Sequence, residues 1–242
     1  MKCIAIIPAR GGSKGLKNKN ITPFLGRPLI QWPVLACLES ELIDSIFVTT
    51  DSNEIAEAAE GAGAIVPFLR DQEFATDTCT TEETLKYALL QYEQKFDDVD
   101  IVVFLTCTEI FRDPGWIDQC INELLNNPEV ESAFIGEPTF KNFWSTKNGR
   151  FKRFDPSMKV HGNRQEKRPN FREDTGLCCA TRASIIRSGY RIGDEVSIIE
   201  NNKYSYNTDI HSKIDLDIAE YFYKLYKSNC PEKVSFFTKY AK

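Results

Sequence analysis

Ile4-Ala5-Ile6-Ile7-Pro8-Ala9-Arg10-Gly11-Gly12-Ser13-Lys14-Gly15-Leu16-Lys17-Asn18-Lys19-Asn20 is the stretch that decides how this chain is read. Its first part is a short apolar run fit for a buried strand. Its second part is a turn with three glycines and four cations, Arg10, Lys14, Lys17 and Lys19, and no acid between residues 10 and 20. Small residues let backbone amides approach a phosphate chain, N–H groups in a turn form an anion-binding concavity, and the cations supply counter-charge. Spacing excludes two familiar phosphate loops. The Walker pattern needs Gly, four residues, then Gly-Lys-Ser/Thr, and the dinucleotide fingerprint needs Gly-x-Gly-x-x-Gly. The bland alternative is a solvated basic turn after a strand.

Working outward, the 242-residue chain carries a net charge of −5, so this basic patch is a local feature and not a reflection of composition. Net acidity argues against a nucleic-acid surface and leaves the loop as a focused site for a small anion. A hydrophobic content of 42% suffices for a substantial core. No apolar run approaches the ~20 residues that span a bilayer, so no membrane partner is expected and cytoplasmic localisation is the default. Eight cysteines are scattered without a Cys-x-x-Cys pair, and only two histidines are present. That argues against structural zinc and for buried, reduced thiols. Cys178 and Cys179 fall in a strand-like run, where successive side chains point to opposite faces.

Apolar runs of strand length recur at 3–9, 45–51, 64–69, 101–107 and 132–136, with helical patterns around 29–40, 52–62, 81–96 and 116–126. Strands alternating with helices imply a doubly wound α/β fold with a mostly parallel sheet. Ligands of such sheets bind outside the carboxyl ends of the strands, where Arg10–Lys19, Thr50–Asp51 and the residues after Leu105 would converge. Between 137 and 172 the periodicity stops in a polar, aromatic and basic excursion, and excursions this long are usually functional or disordered. Exposed aromatics mixed with arginines suit an interface, so a homodimer is expected. Further strand-like runs lie at 176–181, 195–200 and 203–208. A last helix over 213–228 repeats Ile214, Ile218, Phe222 and Leu225 on one face, and the final dozen residues show no pattern. With no repeat or linker, 1–242 reads as one domain with 137–172 as an inserted arm.

The opening segment resembles the signature of the acylneuraminate (sialic acid) cytidylyltransferases, including their legionaminic and pseudaminic acid relatives. The resemblance implies a Rossmann-like, GT-A-like nucleotidyltransferase in which Arg10, Gly11, Gly12, Ser13, Lys14, Lys19 and Asn20 hold the nucleotide. It also implies that the arm builds the dimer and closes the site. Pro67-Phe68-Leu69-Arg70-Asp71-Gln72-Glu73-Phe74-Ala75-Thr76-Asp77-Thr78 is similar to the family's cytosine-reading segment. Arg70 would be the donor and the backbone around Ala75 the complement. Without that resemblance, the competing reading of Arg70 is a surface ion-pair partner at the end of a strand. Arg164-Gln165 is similar to an Arg-Gln pair of the family, and Arg164 is the candidate for the sugar carboxylate, which a planar guanidinium matches bidentately. Thr175 stands where the family has asparagine.

Thr208-Asp209-Ile210-His211 resembles the family's metal-holding pair of aspartates before the last helix, with His211 replacing the second. Asp209 with substrate phosphates would suffice for Mg²⁺, and the imidazole opens Mn²⁺ as an alternative. From spacing alone, Asp209 capping a turn with His211 packed beneath the helix is the competing reading. Leu105-Thr106-Cys107-Thr108-Glu109-Ile110-Phe111-Arg112 departs most, keeping only Leu105, Thr108 and Arg112 of the family's sugar-facing pattern. Thr106, Thr108 and Arg112 are the candidate sugar contacts there. The resemblance implies CMP transfer from CTP to the anomeric hydroxyl of a 2-keto-3-deoxy sugar acid, with Arg10, Lys14, Lys19 and Asp209 catalytic. Alternatives are CMP transfer to a phosphonate or sugar phosphate, and a nucleotide-binding homologue impaired by His211.

Overall fold

The computed structural model describes every residue except 160–162, 164, 166 and 205–207. In chain order the strands are β1 Cys3–Pro8, β2 Pro23–Phe24, β3 Arg27–Pro28, β4 Ser45–Thr49, β5 Ile101–Phe104, β6 Ser132–Thr139, β7 Trp144–Lys147, β8 Arg150–Arg153, β9 Asn170–Glu173, β10 Cys179–Arg182 and β11 Val196–Glu200. The helices are α1 Gln31–Leu38, α2 Asn53–Glu60, α3 Thr81–Lys95, α4 Gly115–Asn126, α5 Ala183–Arg187, α6 Lys213–Asn229 and α7 Ser235–Tyr240.

The central sheet runs β11-β6-β10-β5-β1-β4, with β9 added along the far end of β6. β1 pairs in parallel with β4 and β5, and β11 pairs in parallel with β6. Only β10 and β9 run against the rest, so the carboxyl ends of the other strands open on one edge. The inner strands are apolar because both faces are covered. Ala5, Ile7, Val103 and Cys178 enter one core cluster, while Ile4, Ile6, Val102 and Cys179 enter the other. Cys178 and Cys179 thus lie on opposite sides of the sheet, as alternation requires.

Four details differ from the sequence reading. The run 64–69 forms no strand: Ile65 makes a single bridge to Phe47, and Pro67 then has no N–H to continue a ladder. Within 203–208 the described residues form no strand either, and Tyr204 is instead a buried core ring packed on Phe111, Trp116 and Tyr226. On α6 the buried side is Leu216, Ala219, Tyr223 and Tyr226, whereas Ile214 is 70% exposed and Ile218 and Leu225 are exposed. Two apolar stripes share that helix, and the aromatic one wins because Phe111, Tyr204 and Phe237 offer ring partners. The patternless tail forms α7, which buries Phe236 and Phe237 against Trp32.

The described parts of the excursion at 137–172 form strands and one short 3-10 turn, Pro156–Lys159. β6 and β9 form an antiparallel ribbon leaving the sheet, and β7 and β8 form a hairpin beyond it. Asn148 and Gly149 have φ of 53° and 71°, the left-handed pair that tight hairpin turns require.

Candidate functional site

The site is a crevice at the carboxyl edge, between loops that follow β1, β4 and β5. Beyond β1, the Ala9 N–H donates to the Thr49 carbonyl (3.0 Å) and the Gly11 N–H to Asp51 Oδ1 (2.8 Å), so β4 steers the loop. The Asn20 side chain donates to the Arg10 carbonyl (2.9 Å), tying the two ends of the loop together. Asp51 therefore serves from behind by anchoring Gly11.

The loop after β5 recruits the segment before α6. Ile210 N–H donates to the Thr108 carbonyl (3.0 Å), Ile110 N–H to the Thr208 carbonyl (3.4 Å), and Glu109 bridges Asp209. Asp215 at the start of α6 accepts from the His211 and Ser212 N–H groups (3.0 and 2.7 Å). Those bonds hold its carboxyl below the usual carboxylate range and fix the turn that carries Asp209 and His211. Gly15 touches this turn so closely that a Cβ there would lie 2.4 Å from the His211 carbonyl oxygen. Only glycine permits that approach. Sequence reasoning quoted Gly15 and Asp215 within their motifs but gave neither a role of its own. The Ser212-x-x-Asp215 capping pattern before an apolar run was the available signal for the second.

Two adjoining compartments result. One of about 350 Å³ is lined by Arg10, Ser13, Lys14, Gly15, Lys19, Asn20, Thr106, Thr108 and His211, among others. The second, of about 270 Å³, is lined by Arg70, Phe74, Thr76, Asp77, Cys79 and Thr84, again with Arg10. Pro8 and Arg10 line both. Burial lowers the Lys19 ammonium's affinity for its proton, with the charge of Asp209 pulling the other way. Asp209 Oδ2 and His211 Nε2 lie 2.9 Å apart on exposed side chains. No group of three or more potential metal ligands occurs among the described residues.

Arg70 is buried, with Nη2 donating to the Thr49 carbonyl (2.8 Å) and Nη1 to the Phe74 carbonyl (3.2 Å). Its Nε has no partner among the described residues. Phe74 stacks on Tyr87 at 4.2 Å, pinning the turn that ends at Ala75. Ala75 itself lies between the lining residues Phe74 and Thr76.

Other candidates sit elsewhere. Arg112 is not at the crevice surface: it is 2% exposed, and its guanidinium donates to the carbonyls of Thr106 (2.9 Å), Gly176 (2.6 Å) and Leu177. Such a buried cation is tolerable only because carbonyl dipoles surround it. It therefore shapes the loop bearing Thr106 and Thr108. Thr175 is also buried, bonded to Arg191 and Glu173. Gln165 is exposed in the arm, and Arg164 lies outside the described residues. Gly11 packs 3.2 Å from Ser52 at the position of a Cβ, whereas Gly12 is open on all sides.

The chain is 40% identical over 121 residues to a CMP-N,N'-diacetyllegionaminic acid synthase of Legionella pneumophila, covering 50% of this chain and 52% of the relative. It is 41% identical over 120 residues to an N-acylneuraminate cytidylyltransferase of Escherichia coli O18:K1:H7, covering 50% of this chain and 27% of that one. The chain thus spans about half the length, or less, of these curated relatives. A solved CMP:2-keto-3-deoxy-manno-octonic acid synthetase complexed with CTP has the same fold at 15% identity, with a TM-score of 0.67 over 93% of this chain and 99% of that one. The family model described as cytidylyltransferase matches residues 4–224, and the chain belongs to that family.

Proposed function

We infer that this protein transfers CMP from CTP to the anomeric hydroxyl of a 2-keto-3-deoxy sugar acid of the nonulosonic, sialic type, releasing pyrophosphate. The observation that carries the reading is Arg10 lining both compartments, one rich in cations and one walled by buried Arg70. A nucleotide laid across them would place cytosine beside Arg70 and its phosphates beside Arg10, Ser13, Lys14, Lys19 and Asn20. The unpaired Nε of Arg70 supports the base site, because a buried donor without a partner costs about 1–3 kcal/mol and such groups persist where a ligand satisfies them.

In the reaction the sugar hydroxyl oxygen bonds to the α-phosphorus while the bond to the bridging oxygen of pyrophosphate breaks. The residues do little covalent work: Arg10, Lys14 and Lys19 face the charge that develops on the leaving group. Thr106 and Thr108, on the same wall as His211, bound the space left for the sugar. Arg164 and Gln165 are the candidates for its carboxylate.

Asp209 and His211 suit a divalent ion shared with the nucleotide, because one carboxylate oxygen and one imidazole nitrogen leave the remaining positions to phosphate and water. Mg²⁺, or Mn²⁺ given the nitrogen donor, would supply charge neutralisation there. A homodimer is part of the same reading. Residues 137–172 contain ten basic and three acidic side chains in a chain of net charge −5, so the arm is complementary to the body of a second copy.

The test is pyrophosphate release from CTP and Mg²⁺ with a panel of acceptors, with products identified by mass spectrometry. Brisk turnover of a nonulosonic acid supports the reading. Turnover confined to phosphonates or sugar phosphates overturns the acceptor class. That second class draws its support from the altered loop at 106–111.

A further inference from the structure

Two of the three cations proposed to face the nucleotide phosphates, Arg10 and Lys14, are already paired. Arg10 Nη2 lies 2.6 Å from Asp77 Oδ1, and Lys14 Nζ contacts Oδ2 of the same carboxylate. Asp77 stands between the Gln72–Ala75 turn and α3, and lines the compartment that Arg70 also lines. Its carboxyl is held below the usual carboxylate range by Lys14 first and Arg10 second. Arg10 is tied to Asn20 through its backbone carbonyl independently of this pairing, and Lys14 is 78% exposed.

We propose that Asp77 is an internal stand-in for substrate phosphate, occupying Arg10 and Lys14 and yielding only to an anion that takes both. This rests on the cytidylyltransferase reading for the identity of the phosphates. A ligand that needs these cations free binds with an affinity reduced by the fraction of molecules in which they are free. The reduction is the same for every ligand that uses both cations and is nil for one that uses neither. A triphosphate or pyrophosphate offers several charges against one carboxylate and displaces it. Once pyrophosphate leaves, Asp77 re-forms its two contacts and opposes rebinding. The partly exposed setting fits this task, because screened ion pairs are individually weak and reversible.

The test is titration calorimetry of the unmodified protein, Asp77→Asn and Asp77→Ala with Mg²⁺ and three probes: CTP, inorganic pyrophosphate and cytidine. Removing the carboxylate is expected to tighten CTP and pyrophosphate by about 3- to 10-fold, and by the same factor for both. Cytidine affinity should stay unchanged, and the gain should shrink at high ionic strength. Unchanged or weaker binding of both anions in variants that melt like the unmodified protein would overturn the proposal, as would an equal gain for cytidine. Absence of CTP binding to the unmodified protein would instead sink the cytidylyltransferase reading. Pyrophosphate, which needs no cytosine site, would still test the stand-in.

Discussion

Among single residues, exposure and partners separate chemistry from architecture. Lys19 is half-buried in the larger compartment, and burial rather than an ion pair dominates its environment. Its charge is wanted most as pyrophosphate leaves, so Lys19→Ala should lower kcat by about 10²-fold with a much smaller change in CTP affinity. Steady-state kinetics alongside a CTP titration checks this, and an unchanged kcat removes Lys19 from the mechanism. Arg112 belongs to the other category. Arg112→Met should cost about 3–5 kcal/mol, because the buried carbonyls of Thr106, Gly176 and Leu177 lose their donor. A denaturant midpoint measures it, and a variant as stable as the parent contradicts this account.

At the scale of elements, the site is decided by how loops touch. Gly15 is where the phosphate loop meets the turn before α6, and a Cβ in the place of its hydrogen collides with the His211 carbonyl. Gly15→Ala should therefore push Asp209 and His211 away from the cations, raising the metal concentration needed for half-maximal turnover. Metal titration of activity reads this directly, and a value equal to the parent's argues that the contact is incidental. Elements also show why sequence patterns mislead. On α6 both the aliphatic stripe and the Leu216, Ala219, Tyr223, Tyr226 stripe have helical spacing, so the pattern identifies a helix without saying which side is inward. Asn148-Gly149 is a hairpin signal the sequence reading left unused, because the flanks that form β7 and β8 are exposed on both faces and lack the alternation that marks a strand.

For the whole molecule, burial of the thiols has a consequence in pH. Burial pushes the Cys107 and Cys179 thiols up to about 12, and Cys3, Cys37 and Cys120 are raised as well. A group whose folded value is raised holds its proton in the native state while the unfolded chain loses it. Stability should thus be unaffected below the ordinary thiol value of 9.0 and fall as pH rises above it. Melting curves from neutral to alkaline pH test the sign. Below that point, native alkylation should label only Cys79 and Cys230, the two thiols that are not buried. Assembly belongs to the same scale. Sedimentation velocity at micromolar concentration should show a dimer, and Phe151→Glu with Phe154→Glu, both about 70% exposed on the arm, should shift it to a monomer. A monomeric parent protein counts against the arm as a dimer interface.

What the sequence determined by itself is local or short in range. The alternation of apolar strands and helices, the acid-free glycine and cation loop, and the family motifs around Arg70 and Asp209 all follow from neighbours along the chain. Tertiary structure alone decided the rest, because each remaining choice is between groups equally suited in isolation. Arg112 and Arg70 both follow apolar runs in the sequence, yet carbonyls 60-odd residues away absorb the first, while the second lines a compartment and keeps a nitrogen without a partner among the described residues. Asp77 and the loop cations lie more than 60 residues apart, and only the neighbouring ends of β1 and β4 bring their segments together. Long-range contact, desolvation and the competition between partners are properties of the packed chain, and no periodicity encodes them.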